Sequence, residues 1–222
     1  MFHRLKGCEI LLIVKKYVVG KLLTNCYIVT ETSNNTSVVI DPGGMCPELE
    51  KDIKNFDIKM ILLTHGHFDH IFSSNYVRKV TGSKIVVFYE DKDFLFDNNL
   101  NLSTFFKETC IEAFKADICL KNEDIILVSN FSIKVLHTPG HTRGSVCYLI
   151  GEHMFSGDTL FKGSTGRTDF FTGSKSDMKE SLKKLYNLNS NYIVHPGHGD
   201  VTSLNKEKLK NNYGENACEN IK

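Results

Sequence analysis

Three imidazoles and one carboxylate fall within the seven residues Thr64-His65-Gly66-His67-Phe68-Asp69-His70, directly after the apolar run Met60-Ile61-Leu62-Leu63. Neutral imidazoles and an ionised carboxylate offer lone pairs to a borderline divalent cation such as zinc, iron or manganese, and no cysteine joins them. A helical zinc motif needs two histidines four positions apart, whereas here Gly66 separates His65 from His67 and suits a tight loop. A strand would therefore deliver His65 and His67 to one side, with Asp69 and His70 around the next bend. A lone H-x-H suits a solvated polar loop equally well; the fuller H-x-H-x-D-H pattern favours ligation.

Three later loops repeat this placement, each beginning where an apolar strand stops. They are His137-Thr138-Pro139-Gly140-His141-Thr142 after Val135-Leu136, Ser156-Gly157-Asp158-Thr159 after Met154-Phe155, and His195-Pro196-Gly197-His198-Gly199-Asp200 after Ile193-Val194. A single His or Asp in a glycine-rich turn is ordinarily part of the turn. Recurrence at strand ends, where a rigid scaffold presents loops, turns them into candidates. Asp41, at the end of Ser37-Val38-Val39-Ile40, has two readings: a cap for the Asp41-Pro42-Gly43-Gly44 turn, or an acceptor that fixes the tautomer of a ligand imidazole.

The elements that must carry these loops can be read from periodicity. Strands are expected over residues 10–19, 26–30, 37–40, around Met60, and over 85–88, 125–127, 131–136, 146–150, 154–156 and 192–194, from β-branched runs bounded by turn residues. Helices are expected over 47–55, 71–80, 175–188 and 205–212. The aromatic-rich segment 90–122 reads as one or two helices with a mobile connection around Asp97 to Asn101, its phenylalanines packing in the core or as a flap over the opening. Strand-rich blocks with helices in each half suggest two sheets covered by helices on the outside.

At 222 residues the chain can bury a sizeable core, and 41% hydrophobic with 24% charged residues is ordinary globular composition. A formal net charge of +1 gives no field that would attract nucleic acid or an anionic membrane. The lysines at 179, 183, 184, 206, 208 and 210 read as solvated helix faces. Seven cysteines without a C-x-x-C pair make a poor disulfide framework and point to a reducing compartment. Neither a signal peptide nor a membrane span is evident, so the cytoplasm is expected, with residues 1–9 a loose extension.

The segments Thr64 to His70, Thr138-Pro139-Gly140-His141-Thr142, Ser156-Gly157-Asp158-Thr159 and Pro196-Gly197-His198-Gly199, in that order, resemble the metallo-β-lactamase superfamily, and the resemblance covers nearly the whole chain. Within it, Gly157-Asp158-Thr159-Leu160-Phe161 and Gly166-Arg167-Thr168-Asp169-Phe170 make the chain similar to the short glyoxalase-II-like hydrolases, which are hydroxyacylglutathione hydrolase-like. The resemblance implies an α+β fold, an αββα sandwich in a single domain over residues 1–222, with two divalent metal ions at one edge of the sheets. It places zinc there, or iron or manganese. Carried over by motif, His65, His67 and His141 hold the first ion, Asp69, His70 and His198 the second, and Asp158 bridges them. Asp41, Arg167 and Asp169 are candidates for supporting or substrate contacts, with mutual pairing the simpler role for Arg167 and Asp169. His195, His137, His3 and His153 match no ligand position.

The implied reaction is hydrolysis of a thioester such as S-D-lactoylglutathione. A water shared by two ions, its pKa lowered to about 7, attacks the carbonyl. Asp69 and Asp158 are the catalytic carboxylates, Asp69 orienting the attack, and a thiol with a pKa of about 8.5 departs without a dedicated general acid. No serine nucleophile elbow is present. Longer glyoxalase II enzymes continue into a helical domain that supplies much of the glutathione site; with the sequence ending at Lys222, no such domain is expected and the thiol carrier stays open. A persulfide dioxygenase of the same fold, using one iron on His65, His141 and Asp158, is the alternative, followed by a lactone or other ester hydrolase. A secreted β-lactamase is disfavoured by the missing leader. A non-enzymatic zinc module would be expected to be closed and cysteine-rich. The expected partner is a small-molecule substrate, with no nucleic acid or membrane and no assignment of oligomeric state.

Overall fold

The computed structural model describes residues 11–106, 111–121 and 124–210. One six-stranded sheet runs in sequence order through β1 (Leu12–Val19), β2 (Thr24–Glu31), β3 (Thr36–Ile40), β4 (Asp57–Leu62), β5 (Lys84–Phe88) and β6 (Ile118–Leu120). Its first three strands are antiparallel, and β3 to β6 are parallel. The second six-stranded sheet has the order β12-β11-β10-β9-β8-β7, formed by β7 (Ile125–Val128), β8 (Phe131–His137), β9 (Val146–Ile150), β10 (His153–Gly157), β11 (Ile193–Pro196) and β12 (Thr202–Ser203). Only β10 and β11 are parallel in it.

Both faces of the central strands are buried, which is why they read as continuous apolar runs. In β2 to β5, Ile28, Val39, Ile61, Ile85 and Val87 face Leu49 and Ile53 of α1 (Pro47–Asn55) and Val77 of α3 (Ser74–Thr81). Their neighbours Tyr27, Val29, Val38, Ile40, Leu62, Val86 and Phe88 point the other way, against Ile133, Val135, Val146, Tyr148 and Phe155 of the second sheet. That sheet buries Leu136, Cys147, Leu149 and Val194 under Met178, Leu182 and Leu185 of α4 (Lys175–Tyr186). A side-chain period of two on the strands thus separates three apolar layers, and the result is the expected αββα sandwich.

Local chemistry sets the helix ends. Pro47 opens α1 at a position where its missing N–H costs nothing. Ser174 caps α4, its Oγ accepting from the Asp177 N–H at 3.2 Å.

The helix expected over residues 71–80 is in fact broken. A single turn, α2 (Phe68–Ile71), precedes α3, and the Ser73 N–H donates to the Pro42 carbonyl at 2.8 Å instead of continuing the helix. The ligand stretch is thereby pinned to the loop after β3. Residues 90–106 also differ from expectation. A 3-10 helix (Tyr89–Leu95) is followed by turns in place of α-helix. Asn101 is fully buried and its Nδ2 donates to the Phe94 carbonyl at 2.9 Å, while Asp97 Oδ1 accepts from the Asn99 N–H at 2.9 Å. Short Asn and Asp side chains compete with the helix for backbone partners, which accounts for the difference. Residues 107–110, 122 and 123 of that segment, with residue 10, His3 and residues 211–212, lie outside the described part. Strands β6 and β12 are additional to those expected. Both are short edges: β6 pairs with β5, some thirty residues earlier, and β12 with the neighbouring β11.

Candidate metal centre

All four ligand loops emerge at the same edge of the sandwich. The first follows β4, the second β8, the third β10, and the fourth lies at the end of β11. Parallel pairing of β10 with β11 sets Gly157 opposite Pro196, so the Asp158 and His198 loops lie side by side. A Cβ at Gly197 would overlap Oδ1 of Asp158 and approach Cε1 of His70 to 2.7 Å, so only glycine lets this loop close on the site.

The seven expected ligands are brought together. His65, His67 and His141 form one group of candidate ligand atoms within 4.8 Å of one another; Asp69, His70 and His198 form another; and Asp158 joins His65 and His70 in a third. Asp158 sits between the sets, its Oδ2 at 3.4 Å from Nε2 of His141 and 3.6 Å from Nε2 of His198, and its Oδ1 at 3.5 Å from Nε2 of His70. Nδ1 of His67 and Nε2 of His141 converge to 2.9 Å.

Four of the five imidazoles have one nitrogen held from outside, which aims the other inward. Asp41 Oδ2 lies 2.9 Å from Nδ1 of His70, the Arg167 carbonyl 2.8 Å from Nδ1 of His141, the Leu22 carbonyl 3.1 Å from Nδ1 of His198, and Thr64 Oγ1 3.1 Å from Nδ1 of His65. Such partners fix the ring tautomer and orientation of a metal-ligating histidine. Nε2 of His65 and Oδ1 of Asp158 are buried without a hydrogen-bond partner. Buried polar atoms are rarely left so, and a cation satisfies both.

The electrostatics agree. Burial, reinforced by the neighbouring imidazoles, pushes His65 and His67 well below the ordinary histidine value, and burial also lowers His141. These rings are neutral donors. Burial also opposes charge on His70, but the carboxylates of Asp69, Asp158 and Asp41 outweigh it and raise its pKa to about 10. His198 is raised likewise, Asp69 and Asp158 overcoming its burial. Asp69 is itself held below the ordinary carboxylate range, the cationic His70 and His198 overcoming its burial. The carboxylates thus demand positive charge at this point, which divalent cations meet by displacing the imidazole protons.

Asp41 fills both of its readings. Its Oδ1 accepts from the Thr64 N–H at 2.8 Å and its Oδ2 from Thr64 Oγ1 at 2.6 Å, capping the loop, while Oδ2 also holds His70. Arg167 and Asp169 pair with each other through two 2.6 Å contacts on the surface. Arg167 serves the site through its backbone carbonyl. His195 and His153 lie apart from the centre, bonded to each other at 2.9 Å, and His137 stacks on Phe88.

Two supporting residues have no signature in the sequence. Thr24 Oγ1 donates to Asp69 Oδ2 at 3.0 Å. Asp91, fully buried in the 3-10 helix, accepts from the Gly66 N–H at 2.9 Å, from Thr142 Oγ1 at 2.6 Å and from the Gly144 N–H at 2.8 Å. One carboxylate thereby ties the His65-Gly66-His67 loop to the His141 loop.

The sequence profile of the metallo-beta-lactamase superfamily matches residues 19–198, and the chain belongs to that superfamily. Hydroxyacylglutathione hydrolase GloC of Haemophilus influenzae is 34% identical over 195 residues, which cover 85% of this chain and 92% of the relative. Among solved structures, the BLEG-1 B3 metallo-beta-lactamase is 33% identical with a TM-score of 0.85, covering 90% of this chain and 99% of that one. TTHA1623, solved in a di-iron-bound form, is 30% identical with a TM-score of 0.78 over 90% of this chain and 99% of its own. No helix among the described residues is long and apolar enough to cross a membrane.

Proposed function

We propose that the chain is a dinuclear metal-dependent hydrolase of small-molecule thioesters, S-D-lactoylglutathione among them, working in the cytoplasm. The observation that carries this reading is Asp158, whose two carboxylate oxygens face both ligand sets at 3.4 to 3.6 Å. His65, His67 and His141 would hold one ion and Asp69, His70 and His198 the other, with Asp158 shared; zinc suits the all-nitrogen and oxygen donor set, as do iron and manganese. Two such ions supply a water acidic enough to attack at neutral pH and a Lewis acid for the carbonyl.

The chain's own groups do the rest. Asp69 accepts from Thr24 and borders the open cavity beside His67, His141 and His198, where it can take a hydrogen bond from the attacking water and set its direction. Phe161 and Phe170 wall that cavity and lower its polarity, which strengthens the electrostatic terms. Water oxygen bonds to the acyl carbon, the carbon–sulfur bond breaks, and the products are a carboxylate and a thiol. The likeness to hydroxyacylglutathione hydrolase GloC supports this substrate class.

Elemental analysis of purified protein beside a thiol-release assay on S-D-lactoylglutathione tests the reading. The expected result is about two metal ions per chain with thiol release, and Asp69→Ala losing one ion and about 100-fold in rate. About one iron per chain, no thiol release and oxygen uptake with a persulfide would replace the hydrolase by a dioxygenase.

A further inference from the structure

A thioester carries two arms that diverge from its carbonyl, and two cavities meet at this centre. The first, about 290 Å³, is lined by His67, Asp69, His141, Asp158 and His198, with Thr165 and Arg167 also in its wall. The second, also about 290 Å³, adjoins the first, sharing Leu22, Phe68, Asp69 and Phe106 with it. Beyond those shared residues it is lined by Met45, Phe72, Gly43 and Gly44. Among the described residues Asp69 and Lys21 are its only charged members.

The difference in lining decides which arm goes where. The first cavity holds five of the candidate ligands with Thr165; the second, apart from Asp69 and Lys21, is lined by apolar side chains and glycine backbone. Glycine is required at both loop positions, because a Cβ at Gly43 would overlap the Asp69 carbonyl and one at Gly44 would come within 2.8 Å of the Gly20 nitrogen. The loop after β3 is thus packed directly on the turn that carries Asp69, the ligand residue that borders both cavities.

We infer that the second cavity binds the acyl arm of the substrate, an unbranched apolar chain of several carbons, while the thiol arm lies in the first. The inference rests on the hydrolase reading above and narrows its substrate class: lactoyl is the short, polar end of the range, and longer apolar acyl groups are preferred. Leu22 and Phe72, each about two-fifths exposed, are covered by the bound chain.

The test separates acyl binding from hydrolysis. Calorimetric titration of the metal-bearing protein with acetate, butanoate, hexanoate and octanoate measures product binding directly, and thiol release from the matching acyl-glutathione thioesters measures turnover. Carboxylate affinity is expected to rise about three- to fourfold per methylene until the cavity is full. Met45→Trp, which fills the cavity, and Phe72→Asp, which charges its outer wall, should each flatten that rise; the second variant alters a half-exposed side chain, so a folding failure of the first leaves the test intact. Affinity independent of chain length in the wild-type protein, or a rise untouched by Phe72→Asp, would overturn the acyl assignment even if thioesters are hydrolysed. A rise in affinity without turnover of any thioester would keep the pocket and sink the hydrolase.

Discussion

Asp91 illustrates how one side chain can matter to a site it never touches. Its oxygens accept from Gly66, Thr142 and Gly144, which belong to two different ligand loops. Asp91→Ala would leave two buried N–H groups unpaired, a penalty of roughly 1–3 kcal/mol each. Chemical denaturation should register that loss, and competition against a chromophoric chelator should show metal affinity down by about 10- to 100-fold, the usual effect of removing support behind a ligand. Unchanged affinity would mean the loops hold their geometry without it. His195 gives a second prediction at this scale. Burial lowers its pKa from 6.5 to about 4, helped by His153 and Lys16, so the folded ring stays neutral while the unfolded one takes a proton below about pH 6.5. Unfolding therefore binds a proton in the window between those values, and stability present above pH 6.5 is lost as pH falls towards 4, by about 3 kcal/mol at most. Urea unfolding in chelator at pH 7 and pH 5 should show a smaller acid loss for His195→Phe, a replacement that keeps the stack on Phe155. Equal losses in the two proteins would place the acid sensitivity elsewhere.

At the scale of elements, the centre depends on strand ends that are neighbours in space and far apart in sequence. The turn after β11 is the sharpest case, since Gly197 sits against both Asp158 and His70. Gly197→Ala should push His198 away and cost the Asp69, His70 and His198 position its ion first. Metal titration would then show one strong and one weakened site, with the far-ultraviolet spectrum unchanged; two intact sites would contradict the packing. The break between α2 and α3 belongs to the same scale. Periodicity reads residues 71–80 as one helix, but the Ser73 N–H goes to Pro42, a partner 31 positions earlier, and the turn carrying Asp69 and His70 is separated as a result. Local sequence preference had no access to that hydrogen bond. The short strands β6 and β12 were likewise illegible, because three and two residues leave no period to detect.

For the whole molecule, the two sheets are held by the apolar layer between them, and the centre clips their edges together through loops from both. Ions bound to the folded chain and not to the unfolded one add stability by mass action, about 2.7 kcal/mol for a site at 100 times its Kd. Removing both should lower Tm by on the order of 10–20 °C for a chain of this length. Differential scanning calorimetry with and without chelator measures this, and re-addition of zinc should restore it. A Tm indifferent to metal would mean that the loops are fixed by protein contacts alone.

By itself the sequence determined the architecture and picked out the seven candidate ligands that the fold brings together. His65, His67, Asp69 and His70 are legible because they are contiguous, and His141, Asp158 and His198 because each follows an apolar strand in a glycine-bearing turn. The αββα layering follows from runs that are apolar on both faces. Tertiary structure alone decided what stands behind the donors: Asp91 from 25 to 53 positions away from its partners, Thr24 beneath Asp69, the Leu22 and Arg167 carbonyls on two imidazoles, and the second cavity. These contacts use common residues and backbone groups with no periodicity and no motif. They exist only once folding has brought distant strand ends to one edge, where a buried polar group must find whatever partner the fold supplies.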